Sequence, residues 1–426
     1  MTTKTDNISD DCSAIVGTCL RMCPDGEIRQ RQREKLVHPF ESVEFWDDSK
    51  ADLRLAAAKC RTADPIRMVK TYRRSAAGVQ LTDVRTLRPC SVLADTVLYL
   101  LSLYNDRRCY ESHFSELYEF LSDRLRAVRQ DLVLQRVCPT GTRHILELCI
   151  PFYLHSQYRC TLHGCSSFDR KLHEFQLHEC MSRWKTACDD DELGEHVHFV
   201  KHSDHRTAHF NRFMPIVYRI YTAARQSNGH HDQMCNVPLS RENRRSSPIG
   251  EHTLKPLKAP ATSRSGKSRW TERAFVQCWC NRLLEADRMH NFVRLFRLLQ
   301  QLRSAPHSDC SSVEFESLRS VCWLLVARAR LSAFRTLAAA YGSRSASVPV
   351  ERCADWLAFD DASDARAAVQ ALGFQIDADD RVKFNRTTAD CNHEANWSSI
   401  IIKTPIVAKC DWLFSAGQTV KGASET

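Results

Sequence analysis

The chain has 426 residues, of which 26% are charged and 43% are hydrophobic, values that are ordinary for folded domains. Its polar, acidic N-terminal sequence is unlike a signal peptide, and its most apolar run, Val92 to Tyr104, is too short to span a bilayer, so we expect neither export nor membrane embedding. The net charge of +9 favours an acidic partner or nucleic acid, and the 20 cysteines, scattered through predicted helices, are expected to be reduced and buried.

The first distinctive segment, GTCLRMCPDGE, begins at Gly17. Pro24 and the acids that follow it are typical of the first turn of a helix, so a helix is predicted to begin near Cys23. Cys19 and Cys23 are interpreted as structural anchors. The alternatives are a reactive thiol at Cys23, at a helix N-terminus, or half of a zinc site.

A basic stretch follows over residues 51–74, with seven cations and two acids, a net charge of +5. Four of these cations are the best candidates for binding an acidic partner: Arg67, Lys70, Arg73 and Arg74. The alternative is that the stretch is only a solvated surface.

Apolar periodicity then predicts successive helices, with no repeat of fixed length, as in a degenerate helical-repeat stack. The first contains the stripe from Val92 to Tyr104, and the next two cover about residues 115–134 and 142–158. A fourth begins near Ser167, and its apolar side is predicted to carry Phe168, Leu172, Phe175, Cys180 and Trp184.

The middle of the chain contains a histidine patch and a linker. His198, His202, His205 and His209 would share one face of a helix and could hold zinc with an outside ligand, although a solvated surface is the favoured interpretation. Residues 226–269 are rich in serine and proline, and their part from 241 carries eight cations and two acids. Such a segment cannot bury enough apolar surface to fold alone, so it is predicted to be a basic linker.

Helices are predicted to resume at Thr271, with one around Phe292 to Leu299 and one or two between Phe315 and Tyr341. A winged-helix module is predicted to follow. The apolar stripe from Val350 to Leu357 indicates a helix that ends near Phe359.

The second helix of this module is predicted to be capped within Asp360 to Ser363 and stopped by Gly373. Two short alternating runs flank the turn at residues 377–380, which indicates a β-hairpin. From Val348 to Asn385 the module has eight acids and four bases, so a phosphate backbone would be repelled and we interpret it as a protein-docking surface or a structural cap.

The rim of that partner-binding surface is predicted to consist of six residues: Asp360, Asp361, Asp364, Arg366, Arg381 and Lys383. Trp356 and Phe359 are either core residues or anchors for the partner. The predicted domains are a polar tail (1–16), an N-terminal helical part (17–225), the basic linker (226–269), C-terminal helical repeats (270–346), the winged helix (347–386) and a tail whose structure is left open (387–426).

Catalytic motifs are missing from the sequence. There is no nucleophile elbow, phosphate-binding glycine loop or dinucleotide fingerprint, and His173-Glu174 is followed by a histidine one position too late for a zinc-protease helix. We therefore predict no enzymatic activity, no cofactor and no metal, and a zinc-dependent or thiol enzyme is the third hypothesis.

Several motifs, taken together, resemble the Sac-three/GANP domain family. They are GTCLRMCPDGE at Gly17, which includes Cys19, Cys23 and Pro24, and then MVKTYRRSAAG, LRP and FLSDRLRAVRQDL. FVRLFRLLQ and WLAFDDASDARAAVQALGF are similar to the family's last repeat and winged helix.

The resemblance implies a mainly helical, TPR/PCI-like stack capped by a winged helix, acting as a non-enzymatic scaffold. Similarity to short members implies roles in centrosome duplication, spindle assembly and mitotic progression, in nucleus and cytoplasm with centrosome and spindle association. Longer members imply the alternative, an mRNA-export scaffold of the second transcription-export complex that binds a PCI-domain protein, a small acidic protein and RNA.

Overall fold

The computed structural model describes residues 15–46, 61–74, 82–193, 213–226, 270, 272–303, 313–343 and 345–384. The chain divides into two compact units. The first comprises Met1–Ile150 and Ser166–Ser203, and the second comprises Pro151–Cys165 and Asp204–Thr426.

The first unit is helical. Its helices are α1 (Asp25–Arg33), α2 (Val43–Trp46), α3 (Cys90–Asn105), α4 (Arg107–Ser112), α5 (Phe114–Leu134), the part of α6 (Pro139–His163) up to Ile150, and α7 (Arg170–Leu193). Pro24 is the N-cap of α1, which agrees with the predicted start near Cys23. Two 3-10 turns, Pro39–Glu41 and Val84–Thr86, precede α2 and α3.

The core of this unit forms around α3 and α5, which pack against each other. The α3 residues Leu93, Val97 and Leu100 are fully buried, as are Leu121 and Leu125 of α5. The segment Val84–Asn105 is long and apolar enough to cross a membrane by length and composition alone. Of its most apolar window, 44% is buried inside the protein.

The inward face of α7 differs from the predicted one. Cys180 and Trp184 are buried as expected, but Leu172 and Phe175 are 47% and 62% exposed. His173 and Gln176 take the inward positions instead, because each has a hydrogen-bond partner on α5. Tyr118 Oη lies 3.0 Å from His173 Nδ1, and Arg129 donates to Gln176.

The second unit begins with the remainder of α6 and continues through α8 (Met214–Gln226), α9 (Arg273–Arg288), α10 (Phe292–Arg303) and α11 (Val313–Ala340). α11 packs against α8 and α10, and α9 packs against α10. Trp270 is buried in edge contacts with Phe275, Trp279 and Phe315. Helices packed in succession in this way confirm the predicted mainly helical stack.

The winged helix completes the second unit. It consists of β1 (Val348–Pro349), α12 (Val350–Leu357), α13 (Ala362–Ala371), β2 (Gln375–Ile376) and β3 (Arg381–Lys383). The strands form an antiparallel sheet in the order β1-β3-β2, with Val348 opposite Val382. The two helices and the hairpin confirm the prediction. β1 was not predicted, because two residues are too few to show an alternating pattern.

Left-handed residues end both helices of this module. Ala358, with φ of 51°, follows α12, and Gly373, with φ of 73°, follows the C-cap of α13. Glycine was expected at the second position because it adopts positive φ without steric cost.

Candidate functional site

The N-terminal motif is a packing element of the first unit. The backbone N–H of Gly17 donates to Oε1 of Gln135 at 2.7 Å, and a Cβ at this position would overlap the carbonyl oxygen of Leu87. Cys23 is fully buried in a cluster with Ile28 and Met68. Glycine is therefore required at position 17 by close backbone approach.

The thiol of Cys23 is not activated by its place beside α1. Burial raises the pKa of Cys23 well above its usual value, and the nearby Glu27 carboxylate acts in the same direction. A neutral, enclosed thiol favours the anchoring interpretation over a reactive one.

The four predicted basic residues do not form one exposed patch. Lys70 is only 7% exposed, and its Nζ donates to Asp131 and to the carbonyl of Thr86, each at 2.7 Å. Arg67 pairs with Asp64 and lies 4.3 Å from the ring centre of Trp46. Only Arg73 and Arg74 are exposed. Lys70 therefore stabilises the fold instead of facing a partner.

Two buried carboxylates connect distant parts of the first unit. Glu41 accepts from Arg31, from Nη2 of Arg124 at 3.2 Å, and from the backbone N–H of Val69 at 2.9 Å. These contacts join the turn before α2 to α1, to α5 and to the basic stretch, since Val69 lies between Arg67 and Lys70. Buried ion pairs of this kind are costly to break because a lone charge is left without solvent.

The second carboxylate is Asp131 on α5. It accepts from Lys70 Nζ and from Arg88 Nε, the latter at 2.8 Å, and both Asp131 and Arg88 are fully buried. Sequence reasoning missed Asp131 and Glu41. The available signal was that Asp131 follows the buried α5 stripe of Leu121, Leu125 and Val128, so it occupies an inward helical position.

Glu41 makes the stability of the first unit sensitive to acid. Burial raises its pKa, but the guanidinium groups of Arg124 and Arg31 outweigh that effect and hold the pKa below the usual carboxyl value. A carboxyl with a lowered folded-state pKa stabilises the protein above its unfolded-state pKa, and this contribution is lost as the pH falls.

We therefore expect the contribution of Glu41 to the urea unfolding midpoint to stay constant from pH 7 to about pH 5 and to be lost as the pH falls further, below the unfolded-state pKa of the carboxyl. Glu41→Gln should be less stable at pH 7 and show a weaker pH dependence. Glu34→Gln is the control, since Glu34 is exposed. A pH dependence of Glu41→Gln as steep as that of the native chain would contradict this role.

In the winged helix, three of the four bases are engaged within the module. Arg366 Nη2 contacts both carboxylate oxygens of Asp380 at 2.7 Å, and Lys383 lies 4.0 Å from Asp377. Arg381 donates to the hydroxyl and carbonyl oxygens of the residue before β1, at 2.8 and 3.0 Å. These bases support the hairpin, so the exposed surface of the module is dominated by acids.

The predicted rim acids lie at the start of α13. Asp361 is the N-cap, and its carboxylate accepts from the backbone N–H of Asp364 at 2.9 Å. That hydrogen bond lowers the pKa of Asp361. Trp356 is half-buried and stacks near Tyr341, whereas Phe359 is buried. Phe359 is thus a core residue, and Trp356 is partly accessible.

A buried arginine that sequence reasoning missed holds the module to the stack. Arg330 of α11 is fully buried, and it donates to the carbonyl oxygens of Leu357 at 3.0 Å and Ala358 at 2.6 Å. Its guanidinium lies 4.0 Å from the ring centre of Phe359. These carbonyls belong to the end of α12, where helical partners are lacking.

Burial lowers the pKa of Arg330 to about 9, and the carboxylates of Asp360 and Asp364 oppose the shift. The group therefore remains a cation at neutral pH. Two of the predicted rim acids thus have an internal electrostatic role as well as an exposed location.

One known protein family matches both the part of the chain that contains the buried Glu41 and Asp131 and most of the winged helix. A family model described as the SAC3/GANP family matches residues 22–378, which is most of the chain. The chain belongs to the SAC3/GANP family. This confirms the resemblance drawn from the motifs.

Three curated proteins that resemble this SAC3/GANP chain are much longer than it is. It is 32% identical to SAC3 family protein B of Arabidopsis thaliana over 34% of the chain and 8% of the relative. It is 27% identical to Protein xmas of Drosophila melanogaster over 40% of the chain and 8% of the relative. SAC3 family protein 1 of Schizosaccharomyces pombe is 29% identical over 30% of the chain and 11% of the relative. The matched part is about a tenth of each relative's length.

The histidine patch at His198 to His209, for which zinc was the alternative interpretation, lies outside the described residues. Residues 227–269 of the predicted basic linker also lie outside them. Within the ranges that the structure does describe, no group of three or more histidine, cysteine, aspartate or glutamate side chains could hold a metal ion.

Proposed function

We propose that this chain is a non-enzymatic scaffold that acts in centrosome duplication, spindle assembly and mitotic progression. Its locations would be the nucleus and cytoplasm, with association at the centrosome and spindle. The proposal is supported by the resemblance of the motifs to the SAC3/GANP family, whose short members imply these roles, and by membership of that family.

The observation that carries the scaffold proposal is the charge of the anchored winged helix. Eight acids face four bases in this module, and Arg366, Arg381 and Lys383 are engaged within it. A phosphate backbone needs cations that can replace its counterions. A surface of this kind suits a polypeptide partner with basic side chains, held in a fixed orientation because Arg330 fastens α12 to α11.

The test is depletion of the chain in dividing cells followed by re-expression of variants. We expect depletion to change centrosome number and spindle shape, and the native chain to restore both. The variant Glu351→Lys with Asp355→Lys should restore them incompletely, because these two exposed acids lie on one side of α12. They are preferred to Asp360 and Asp364, whose reversal would also destabilise Arg330.

Glu272→Lys is the matched control, since Glu272 is an exposed acid of the same unit. Circular dichroism should show that the double variant melts at nearly the native temperature. Normal centrosomes and spindles after depletion would contradict the proposed role. Full rescue by the double variant would show that the acidic surface of the winged helix is not needed for the proposed role.

The alternative is an mRNA-export scaffold that binds a PCI-domain protein, a small acidic protein and RNA. It is favoured by the exposed Arg73 and Arg74, which follow Tyr72, and by the guanidinium of Arg126, which lies 3.9 Å from the Tyr72 ring centre. Arginine and aromatic side chains together suit single-stranded RNA. Nuclear retention of polyadenylated RNA after depletion, with normal spindles, would support this alternative.

A further inference from the structure

A cavity of about 470 Å³ opens on the first unit beside the end of α1. It lies away from the winged helix in sequence and is independent of the function proposed above. Its walls come from the last turn of α1 with the residues up to Pro39, and from four single residues of other segments: Arg61, Thr71, Arg73 and Arg124.

The cations of this cavity fall into a buried pair and an accessible set. Arg31 and Arg124 are buried and share the carboxylate of Glu41. Lys35, Arg61 and Arg73 lie nearer the opening, since all three are exposed or half-exposed. The only acid in the lining is Glu34. The accessible lining therefore carries a net charge of about +2, the magnitude that a phosphate monoester carries at neutral pH.

The accessible cations have few internal partners. Lys35 forms no ion pair with any residue that the structure describes, and Arg61 donates only to a carbonyl oxygen, that of Val37, at 3.4 Å. Arg73 Nη2 is 3.5 Å from Glu27 and its side chain is 45% exposed. Among the described residues, Lys35 and Arg61 have no carboxylate partner that would neutralise them before an anion binds, whereas Arg73 is paired with Glu27.

A neutral hydrogen-bond donor, His38, lines the same cavity as these cations. The Nδ1 atom of His38 accepts from the backbone N–H of Phe40 at 3.3 Å, which places the ring hydrogen of the neutral form on Nε2. Burial keeps His38 neutral, with a pKa of about 3, and the guanidinium of Arg124 acts in the same direction. The ring also lines the cavity. It offers a hydrogen bond to an oxygen acceptor without adding charge.

We propose that this cavity binds a phosphorylated serine or threonine side chain of a peptide. Lysine and arginine around a concave site hold a phosphoryl group through charge-assisted hydrogen bonds. Leu36, Val37 and Pro39 add apolar groups to the wall, and Leu36 is 60% exposed, which suits the flanking residues of a peptide. The lining contains no phenylalanine, tyrosine or tryptophan on which the bases of RNA would stack.

The backbone conformation at Lys35 allows a substitution that removes the charge and keeps the helix end intact. Lys35 has φ of 58°, its N–H bonds to the carbonyl of Gln32 at 3.3 Å, and the N–H of Leu36 bonds to Arg31 at 2.8 Å. This is the helix ending in which glycine is normally preferred. Lys35→Gly therefore removes the cation without loss of stability.

Arg136 at the end of α5 offers a matched control. It has φ of 48°, and the same two hydrogen bonds surround it, from its own N–H to Val133 and from Val137 to Leu132. Arg136→Gly changes charge and backbone as Lys35→Gly does, but it is outside the cavity lining.

The experiment measures binding of the full chain to a fluorescent, degenerate peptide pool with a central phosphoserine or phosphothreonine, by anisotropy at fixed salt. We expect the phosphorylated pool to bind and its unphosphorylated counterpart not to bind. Lys35→Gly and Arg61→Gln should each weaken binding about tenfold or more, since each removes a charge-assisted contact. Arg136→Gly should bind as the native chain does.

A single-stranded oligonucleotide is the competing probe. Failure of the phosphorylated pool to bind, equal binding of both pools, or unchanged affinity of Lys35→Gly would each overturn the proposal. Tight oligonucleotide binding that is lost in Lys35→Gly, with no phosphopeptide binding, would show instead that the cavity serves nucleic acid.

Discussion

Replacing Arg330 by methionine is expected to lower the free energy of unfolding of the second unit by about 2–4 kcal/mol, because two buried carbonyl oxygens lose their donors. Methionine preserves most of the side-chain volume, so packing against Phe359 changes little. The substitution removes the hydrogen bonds to Leu357 and Ala358 and the contact between the guanidinium and the Phe359 ring. Relief of the cost of burying the charge offsets part of this loss and sets the lower end of the range.

The matched control is Arg335→Met, five residues later on the same helix, where the arginine is exposed. Urea unfolding should separate the two variants, and hydrogen exchange should show faster opening of α12 only in Arg330→Met. Arg330→Lys should fall between the native chain and Arg330→Met, since one ammonium group cannot reproduce the forked donor geometry. Equal stability of Arg330→Met and Arg335→Met would show that the buried arginine does not fasten the winged helix.

The winged helix was predictable because its determinants are local. The stripe that includes Cys353 and Leu357, the capping carboxylate of Asp361 and the positive φ of Gly373 each depend on a few neighbouring residues. Such signals can be recognised in the sequence without knowledge of the rest of the chain. The pairing of Arg366 with Asp380 was not predictable in the same way, because it depends on how the hairpin folds back on α13.

The inward face of α7 was predicted wrongly and the burial of Arg330 was not predicted, and both errors have the same physical cause. Sequence periodicity assigns polar residues to the solvent side, yet His173 and Arg330 are buried because each meets a partner from a distant segment. The same holds for Lys70, which belonged to a basic stretch in sequence but pairs with Asp131, 61 residues away. The helical pattern can place a polar residue on an inward face, but it does not show which distant residue pairs with it.

Asp131→Asn is expected to lower the free energy of unfolding of the first unit by about 3–5 kcal/mol, the cost of breaking a buried ion pair from one side. Asparagine has nearly the same shape, so the effect is electrostatic. Lys70 and Arg88 would keep their charges in a buried site without the carboxylate that compensates them. Asp95→Asn on α3 is the control, because Asp95 is exposed.

A double-mutant cycle distinguishes two effects of Asp131→Asn: leaving the buried cations without a neutralising carboxylate, and losing a hydrogen bond. Lys70→Met removes one of the stranded cations, so the double variant Asp131→Asn with Lys70→Met should be destabilised by less than the sum of the two single variants. Denaturant midpoints at neutral pH measure all four states of the cycle. Strict additivity would mean that the charges of Lys70 and Asp131 do not interact in the folded chain.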